Sequence, residues 1–201
     1  MNYLEHLQKD KKLTAIIREP LEPLPVRDNI PLRLIASIMS QQLSTKVAKV
    51  IYHRFLELYK GKEPGPKQIL ATDPSVLRSV GLSNAKVQYV LNVALFCIEN
   101  KITDKKLLKM ENDEIIDLLT QIKGVGRWTV EMLLMFSLGR EDVFAVDDLG
   151  IQNAMIGVYK LQKLDKKALR LKMLKLSEAW SPYRTYACIH LWRWKDVGIA
   201  L

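Results

Sequence analysis

The chain has 201 residues, enough to bury one sizeable core, and carries 31 Lys and Arg against 22 Asp and Glu, a formal charge of +9. That balance points to an acidic polymer as partner. Cys97 and Cys188, the 2 cysteines, exclude a four-cysteine iron–sulfur cluster, lack zinc-ligand spacing, and read as buried thiols of a reducing compartment.

Leu4, Leu7, Leu13, Ile16 and Ile17 fall at helical spacing and predict one amphipathic first helix. Pro20 to Pro31, punctuated by proline, predicts an irregular connector. Helices are then predicted over 31–41, 45–60, 67–71, 74–80 and 84–100. Asp73-Pro74 supplies an N-cap with proline behind it, and Ser83 caps the long helix after Gly81-Leu82. Gly81-Leu82-Ser83-Asn84-Ala85-Lys86 reads as a capped turn or a looser helix–turn–helix, with Lys86 a candidate phosphate contact. The second half predicts helices over 104–110, 112–121, 127–138, 148–160, 165–179 and 182–195, the last opened by Ser181-Pro182. Helix follows helix with almost no strand. The expected fold is all-α, a single domain over 1–201 with one lobe from about 30 to 110, another from about 111 to 201, and a cleft between them. The first helix can pack on either lobe.

Two stretches carry chemistry. Glu114-Ile115-Ile116-Asp117-Leu118-Leu119 has helical periodicity, and Thr129-Val130-Glu131-Met132-Leu133-Leu134-Met135-Phe136 resumes it after Gly124-Val125-Gly126. Two helices joined so tightly expose backbone N–H groups and the positive end of the second helix, a seat for a DNA phosphate. The glycines let phosphate approach the backbone, and Lys123 and Arg127 flank the seat with positive charge. The second stretch, Val146-Asp147-Asp148-Leu149, places two carboxylates at a helix start, where the helix dipole favours their ionised forms.

Gly124-Val125-Gly126-Arg127-Trp128-Thr129 followed by Asp142-Val143-Phe144-Ala145-Val146-Asp147-Asp148-Leu149 resembles the core of the helix–hairpin–helix DNA glycosylases, and within them the 3-methyladenine DNA glycosylase II family. Ile38-Met39-Ser40-Gln41-Gln42-Leu43-Ser44 agrees with it, as does Trp180-Ser181-Pro182-Tyr183-Arg184-Thr185-Tyr186-Ala187 leading into His190-Leu191-Trp192. The resemblance spans about residues 30 to 195; Lys123 stands where proline is common in this hairpin. It implies a monofunctional glycosylase that flips alkylated purines such as 3-methyladenine and 7-methylguanine out of duplex DNA and hydrolyses their N-glycosidic bond, starting base excision repair.

The residue roles that follow are implied by that resemblance. Asp148 is the catalytic carboxylate, stabilising an oxocarbenium-like sugar, and Asp147 caps or supports its helix. Trp128 stands where strand-cutting relatives carry a Schiff-base lysine; with Trp192 it walls the pocket for a flipped, cationic base. Gln42 takes the position of the wedge that fills the gap in the duplex, with Leu43 the alternative if the register slips by one. Lys123, Gly124, Val125, Gly126, Arg127 and Thr129 bind the DNA backbone. Carbonyls of Thr120, Ile122 and Val125 hold a structural monovalent cation, Na+ or K+, and catalysis needs no cofactor.

An alkylated purine is already cationic and leaves without a dedicated general acid. His6, His53 and His190 lie outside the chemical motifs, and His190 reads as structural. Trp180 and Trp194 read as core. The expected partner is double-stranded DNA containing damaged bases, bound by a monomer with no membrane partner. The N-terminus lacks a secretory pattern and no stretch approaches the roughly 20 apolar residues that cross a bilayer. The expected location is therefore cytoplasmic and nucleoid-associated, or nuclear in a eukaryote. Two other functions compete with this reading: a glycosylase for oxidised or mismatched bases, and a non-catalytic DNA-binding module. The preference among alkylated bases, ethenoadenine and hypoxanthine depends on pocket shape.

Overall fold

The computed structural model describes residues 2–162 and 164–198, and among these it is all-α. The only strand-like pairing among the described residues is an isolated antiparallel bridge between Val26 and Leu138. The chain forms two compact units. Pro25–Leu138 makes one; the described residues up to Leu24 together with those from Gly139 on make the other. The division expected near residue 111 thus lies inside the Pro25–Leu138 unit, which keeps both helices of the hairpin.

The Pro25–Leu138 unit is built around α3 (Ile30–Ser40). It packs against α4 (Thr45–Glu57), α7 (Asn84–Glu99) and α10 (Arg127–Phe136). Leu32, Leu34, Ile35, Ile38 and Met39 are all buried, so α3 has apolar residues on most of its circumference, as a central helix must. Neither end of α3 is finished by its own sequence. The N–H groups of Asn29 and Ile30 donate to Asp104 at 2.7 and 2.9 Å, so a carboxylate from α8 (Asp104–Leu108) meets the positive end. At the other end Lys86 Nζ donates to the carbonyls of Met39 and Gln41, at 2.9 and 2.6 Å. Helices α5 (Pro66–Leu70) and α6 (Pro74–Ser79) pack on α7, and α9 (Asn112–Leu119) packs on α10. Asp73 and Ser83 cap α6 and α7 as their sequence positions predict.

In the other unit α11 (Leu149–Tyr159) packs against α13 (Arg184–Gly198). A 3-10 turn at Glu178–Trp180 joins α12 (Lys166–Ser177) to the segment before α13. The predicted first helix is two helices, α1 (Tyr3–Leu7) and α2 (Lys11–Thr14). The break has a cause. Asp10 turns out of the helix to cap α2, while its second oxygen accepts the Tyr159 hydroxyl at 2.6 Å and the Trp180 indole N–H at 3.0 Å. Burial pushes the Asp10 carboxyl up, but these bonds and the N–H groups of Leu13 and Lys12 outweigh it and hold it below its usual value. Trp180 is fully buried, as a core tryptophan should be.

The last helix also starts later than expected. Ser181 does not cap it; its hydroxyl donates to Asp142 at 2.8 Å, and α13 begins at Arg184. Arg184 grips both oxygens of Asp142, at 2.5 and 2.9 Å. Both cysteines are free and buried, and burial raises the Cys97 thiol to about 12, which makes it inert.

Candidate nucleic-acid interface and active site

The hairpin between α9 and α10 turns at Gly124, whose φ of +103° is left-handed territory that favours glycine. A Cβ on Gly124 would lie 2.3 Å from the Tyr89 ring, so α7 presses directly on the turn. Asn92, one helical turn further along α7, donates to the Lys123 carbonyl at 3.1 Å. Gly126 differs: its φ is ordinary, and a Cβ there would meet nothing within 4 Å. No internal packing demands a glycine at 126, and the open space lies where α10 presents its first-turn N–H groups. Gly126 is the N-cap of α10 and has no side chain with which to cap it.

The side chains around the turn divide sharply. Lys123 is exposed. Arg127 is also exposed, but its Nε donates at 2.9 Å to Glu131, a carboxylate only 3% exposed. Part of its charge is therefore committed inside the protein. Val125 is buried, and Thr129 is buried with its hydroxyl accepting from Gln41 Nε2 at 3.2 Å. Neither side chain is placed to meet DNA, and Val125 also commits its N–H within the turn. Trp128, between them, keeps 40% of its surface exposed, an unusual cost for an indole in a folded helix. The Ile122 carbonyl accepts the Val125 N–H at 3.0 Å.

Close to α10 in the same unit, α3 ends in a tight turn. Gln41 closes the helix, and Gln42 has φ +59°, left-handed for a residue with a side chain. Gln42 is exposed at the apex, while the Leu43 N–H returns to the Ser40 carbonyl at 3.1 Å. Leu43 is 36% exposed. Lys86, a candidate phosphate contact by its place in the sequence, spends its ammonium on the Met39 and Gln41 carbonyls that lead into this turn. Tyr89, Asn92 and Gln41 were missed as supports, and only the nearness of Gln41 to Gln42 in sequence could have suggested one of them.

In the other unit Asp148 is the N-cap of α11. Its Oδ1 accepts the Ile151 N–H at 2.8 Å and the Trp192 indole N–H at 2.9 Å. The expected division of labour between the two carboxylates therefore changes. Asp147 does not cap the helix; it is exposed and accepts from Arg170 at 3.1 Å, while Asp148 itself caps. Gly150 makes the arrangement possible, since a Cβ there would lie 2.9 Å from Asp148 Oδ1 and 3.0 Å from the indole nitrogen. Trp192, on α13, is half-buried, and Trp194 packs over Gly157 of α11. His190 is buried, and burial together with Arg193 depresses it to about 4. A neutral imidazole of that kind is a packing group rather than an acid.

Residues 35–180 match the model of the HhH-GPD superfamily base excision DNA repair proteins. The chain belongs to that family. DNA-3-methyladenine glycosylase 1 of Schizosaccharomyces pombe is 41% identical over 162 residues, covering 80% of this chain and 70% of the relative. Among solved structures, the Schizosaccharomyces pombe 3-methyladenine DNA glycosylase in complex with abasic DNA superposes with a TM-score of 0.82 at 34% identity, covering 96% of each chain. A Bacillus halodurans DNA-3-methyladenine glycosidase gives 0.86 at 32% identity, covering 100% of this chain and 92% of that one. Proteins of this family act in base excision DNA repair, and the relatives matched here are named as 3-methyladenine DNA glycosylases.

Proposed function

We propose that this HhH-GPD protein is a monofunctional DNA glycosylase that hydrolyses the N-glycosidic bond of alkylated purines in duplex DNA. The observation that carries the proposal is the Asp148 carboxylate, fixed through one oxygen by the α11 N-terminus and the Trp192 indole, in a chain whose relatives are named for 3-methyladenine. As the bond from C1′ to the purine nitrogen breaks, its electron pair leaves with the base and positive charge grows on the sugar. A carboxylate already oriented by the protein stabilises that charge without reorganising. Water then adds to C1′ and loses a proton. A purine alkylated at N3 or N7 leaves as a neutral molecule, so no general acid is required of the site, and neutral His190 supplies none.

The remaining roles fall to residues placed above. Trp128, exposed on α10, takes the stacking role for a flipped base, where an electron-rich indole favours a cation, and Trp192 orients the Asp148 carboxylate. Gln42, at the exposed apex of its turn, takes the wedge role ahead of Leu43. Lys123 and the backbone N–H groups of Gly124, Gly126, Arg127 and Thr129 hold phosphate, with the Val125 N–H kept by Ile122 and Arg127 contributing the charge that Glu131 leaves it. The carbonyls of Thr120, Ile122 and Val125 would hold a monovalent cation, Na+ or K+. The bond Ile122 accepts from Val125 uses one of two lone pairs on that oxygen, which leaves it able to coordinate. Such an ion would supply positive charge to a phosphate at the hairpin. The protein acts as a monomer on double-stranded DNA, in the cytoplasm with the nucleoid or in a nucleus.

Purified protein, with no added cofactor, is expected to release 3-methyladenine from methylated duplex DNA much faster than 8-oxoguanine from an oligonucleotide. Chromatography of the freed bases measures this, and a preference for the oxidised base overturns the assignment. Borohydride should trap no covalent complex, because Trp128 offers no amine for a Schiff base. A trapped complex would make the enzyme bifunctional.

A further inference from the structure

Lys86 is oddly placed for its own helix. It stands in the first turn of α7, where the helix dipole disfavours a cation, and its N–H is already capped by Ser83 at 3.3 Å. Its ammonium is spent elsewhere. It crosses to the carbonyl end of α3, where a cation is favoured, and donates to Met39 and Gln41. The half-buried position lowers its pKa, through burial, without a carboxylate to compensate. What this arrangement holds is the turn immediately beyond.

Gln42 sits there at φ +59°. A residue with a side chain pays about 1–2 kcal/mol for that conformation, and it persists only where the surroundings over-determine it. The surroundings do. Gln41 is fastened twice, at its carbonyl by Lys86 and at its side chain by Thr129, which belongs to the first turn of α10 beside Trp128. Leu43 is fastened by Ser40. Of these restraints Lys86 alone brings a charge, and charge-assisted bonds of this kind are the stronger ones.

We propose that Lys86 is the positioning residue for base flipping: by gripping the last carbonyls of α3 it preorganises the Gln42 turn for insertion into the duplex. The proposal rests on Gln42 being the wedge. It makes Lys86 a contributor to the insertion step and not a phosphate ligand, which separates it from Lys123.

The test uses full-length protein and a duplex carrying a tetrahydrofuran abasic analogue beside 2-aminopurine, whose fluorescence rises when a wedge unstacks it. Lys86→Met, which keeps the aliphatic stem and loses the donors, should slow the fluorescence rise about tenfold, the scale expected for losing a charged hydrogen bond. Single-turnover release of 3-methyladenine from methylated DNA should slow with it. The salt dependence of binding should stay that of the wild type, because no phosphate contact is lost. Lys86→Arg, which retains charged donors, should restore most of the rate. Gln42→Gly removes the wedge itself, so in that background Lys86→Met should cause no further slowing if the two residues act on one step. Should Lys86→Met prove too unstable to purify, Lys86→Gln carries the same test with an uncharged amide in place of the ammonium.

A wild-type insertion rate in Lys86→Met overturns the proposal, as does an equal loss in both Gln42 backgrounds. A reduced salt slope would make Lys86 a phosphate ligand and overturn it too. The wedge assignment fails separately, if Gln42→Ala inserts as fast as the wild type.

Discussion

Asp148 carries two duties on one carboxylate, and they can be pulled apart by substitution. Asparagine caps helices as well as aspartate does, so Asp148→Asn should keep the α11 cap and the melting temperature. It removes the negative charge, so single-turnover base release should be abolished while DNA affinity is kept or raised. Asp148→Ala should lose the cap as well, at about 1 kcal/mol, visible as a lower melting temperature. Wild-type release by Asp148→Asn would move the catalytic carboxylate elsewhere. Asp147 offers the contrast. Its ion pair with Arg170 is exposed on both sides, so removing it should change neither stability nor rate measurably. The sequence made the pair of carboxylates conspicuous. The cap itself was local, since Ile151 is three residues from Asp148; what the sequence did not show is the hold of Trp192, 44 residues away, on the same oxygen.

At the scale of the element, the hairpin is stiffer than a loop and is held from outside. Lys123→Ala should weaken binding to damaged and intact duplex alike and lower the salt slope by roughly one unit, since one phosphate contact is lost. Arg127→Ala should weaken binding less specifically. It strips the guanidinium from a carboxylate that is 3% exposed, at a cost of about 1–3 kcal/mol, so it alone of the two should lower the melting temperature. Titration at several salt concentrations beside thermal unfolding separates them; equal melting temperatures would show that Glu131 is secured without Arg127.

Helices α6 and α7 were legible because their caps, Asp73 and Ser83, sit in sequence next to what they cap. The hairpin was legible for the same reason. Features that depend on distant partners were not. Asp10 breaks the first helix on account of Tyr159 and Trp180, Ser181 is drawn off by Asp142, and Lys86 serves a carbonyl 45 residues before it. Periodicity sees neighbours in sequence, and these contacts are neighbours only in space.

At the scale of the whole molecule, acid should act in two stages. The unfolded chain protonates His190 near 6.5 and the folded chain only at about 4. Between those values the unfolded state binds more protons, so stability is full above pH 6.5 and falls as pH drops towards 4, by up to about 3 kcal/mol. His190→Phe should flatten that part of the curve in denaturant titrations. Below it the carboxyls of Asp10 and Asp142, both held under the ordinary aspartate value of 3.8, add a second loss as they protonate. Their hydrogen bonds are then broken and unfolding should steepen. A variant lacking His190 with an unchanged slope between pH 6.5 and 4 would place the linkage on another group.

The double use of Asp10 has a consequence for how the chain comes into being. A ribosome releases α1 and α2 ahead of their partners, for the hydroxyl and indole that bond Asp10 follow 149 and 170 residues later. The Pro25–Leu138 unit can complete itself in the meantime, its interactions lying within one continuous stretch. Helices α1 and α2 are thus made before residues 25–138 but seated after them, and Leu7 and Leu13, fully buried in the finished protein, wait uncovered until those partners emerge. A premature stop codon anywhere before Trp180 would therefore undo the beginning of the chain along with its end.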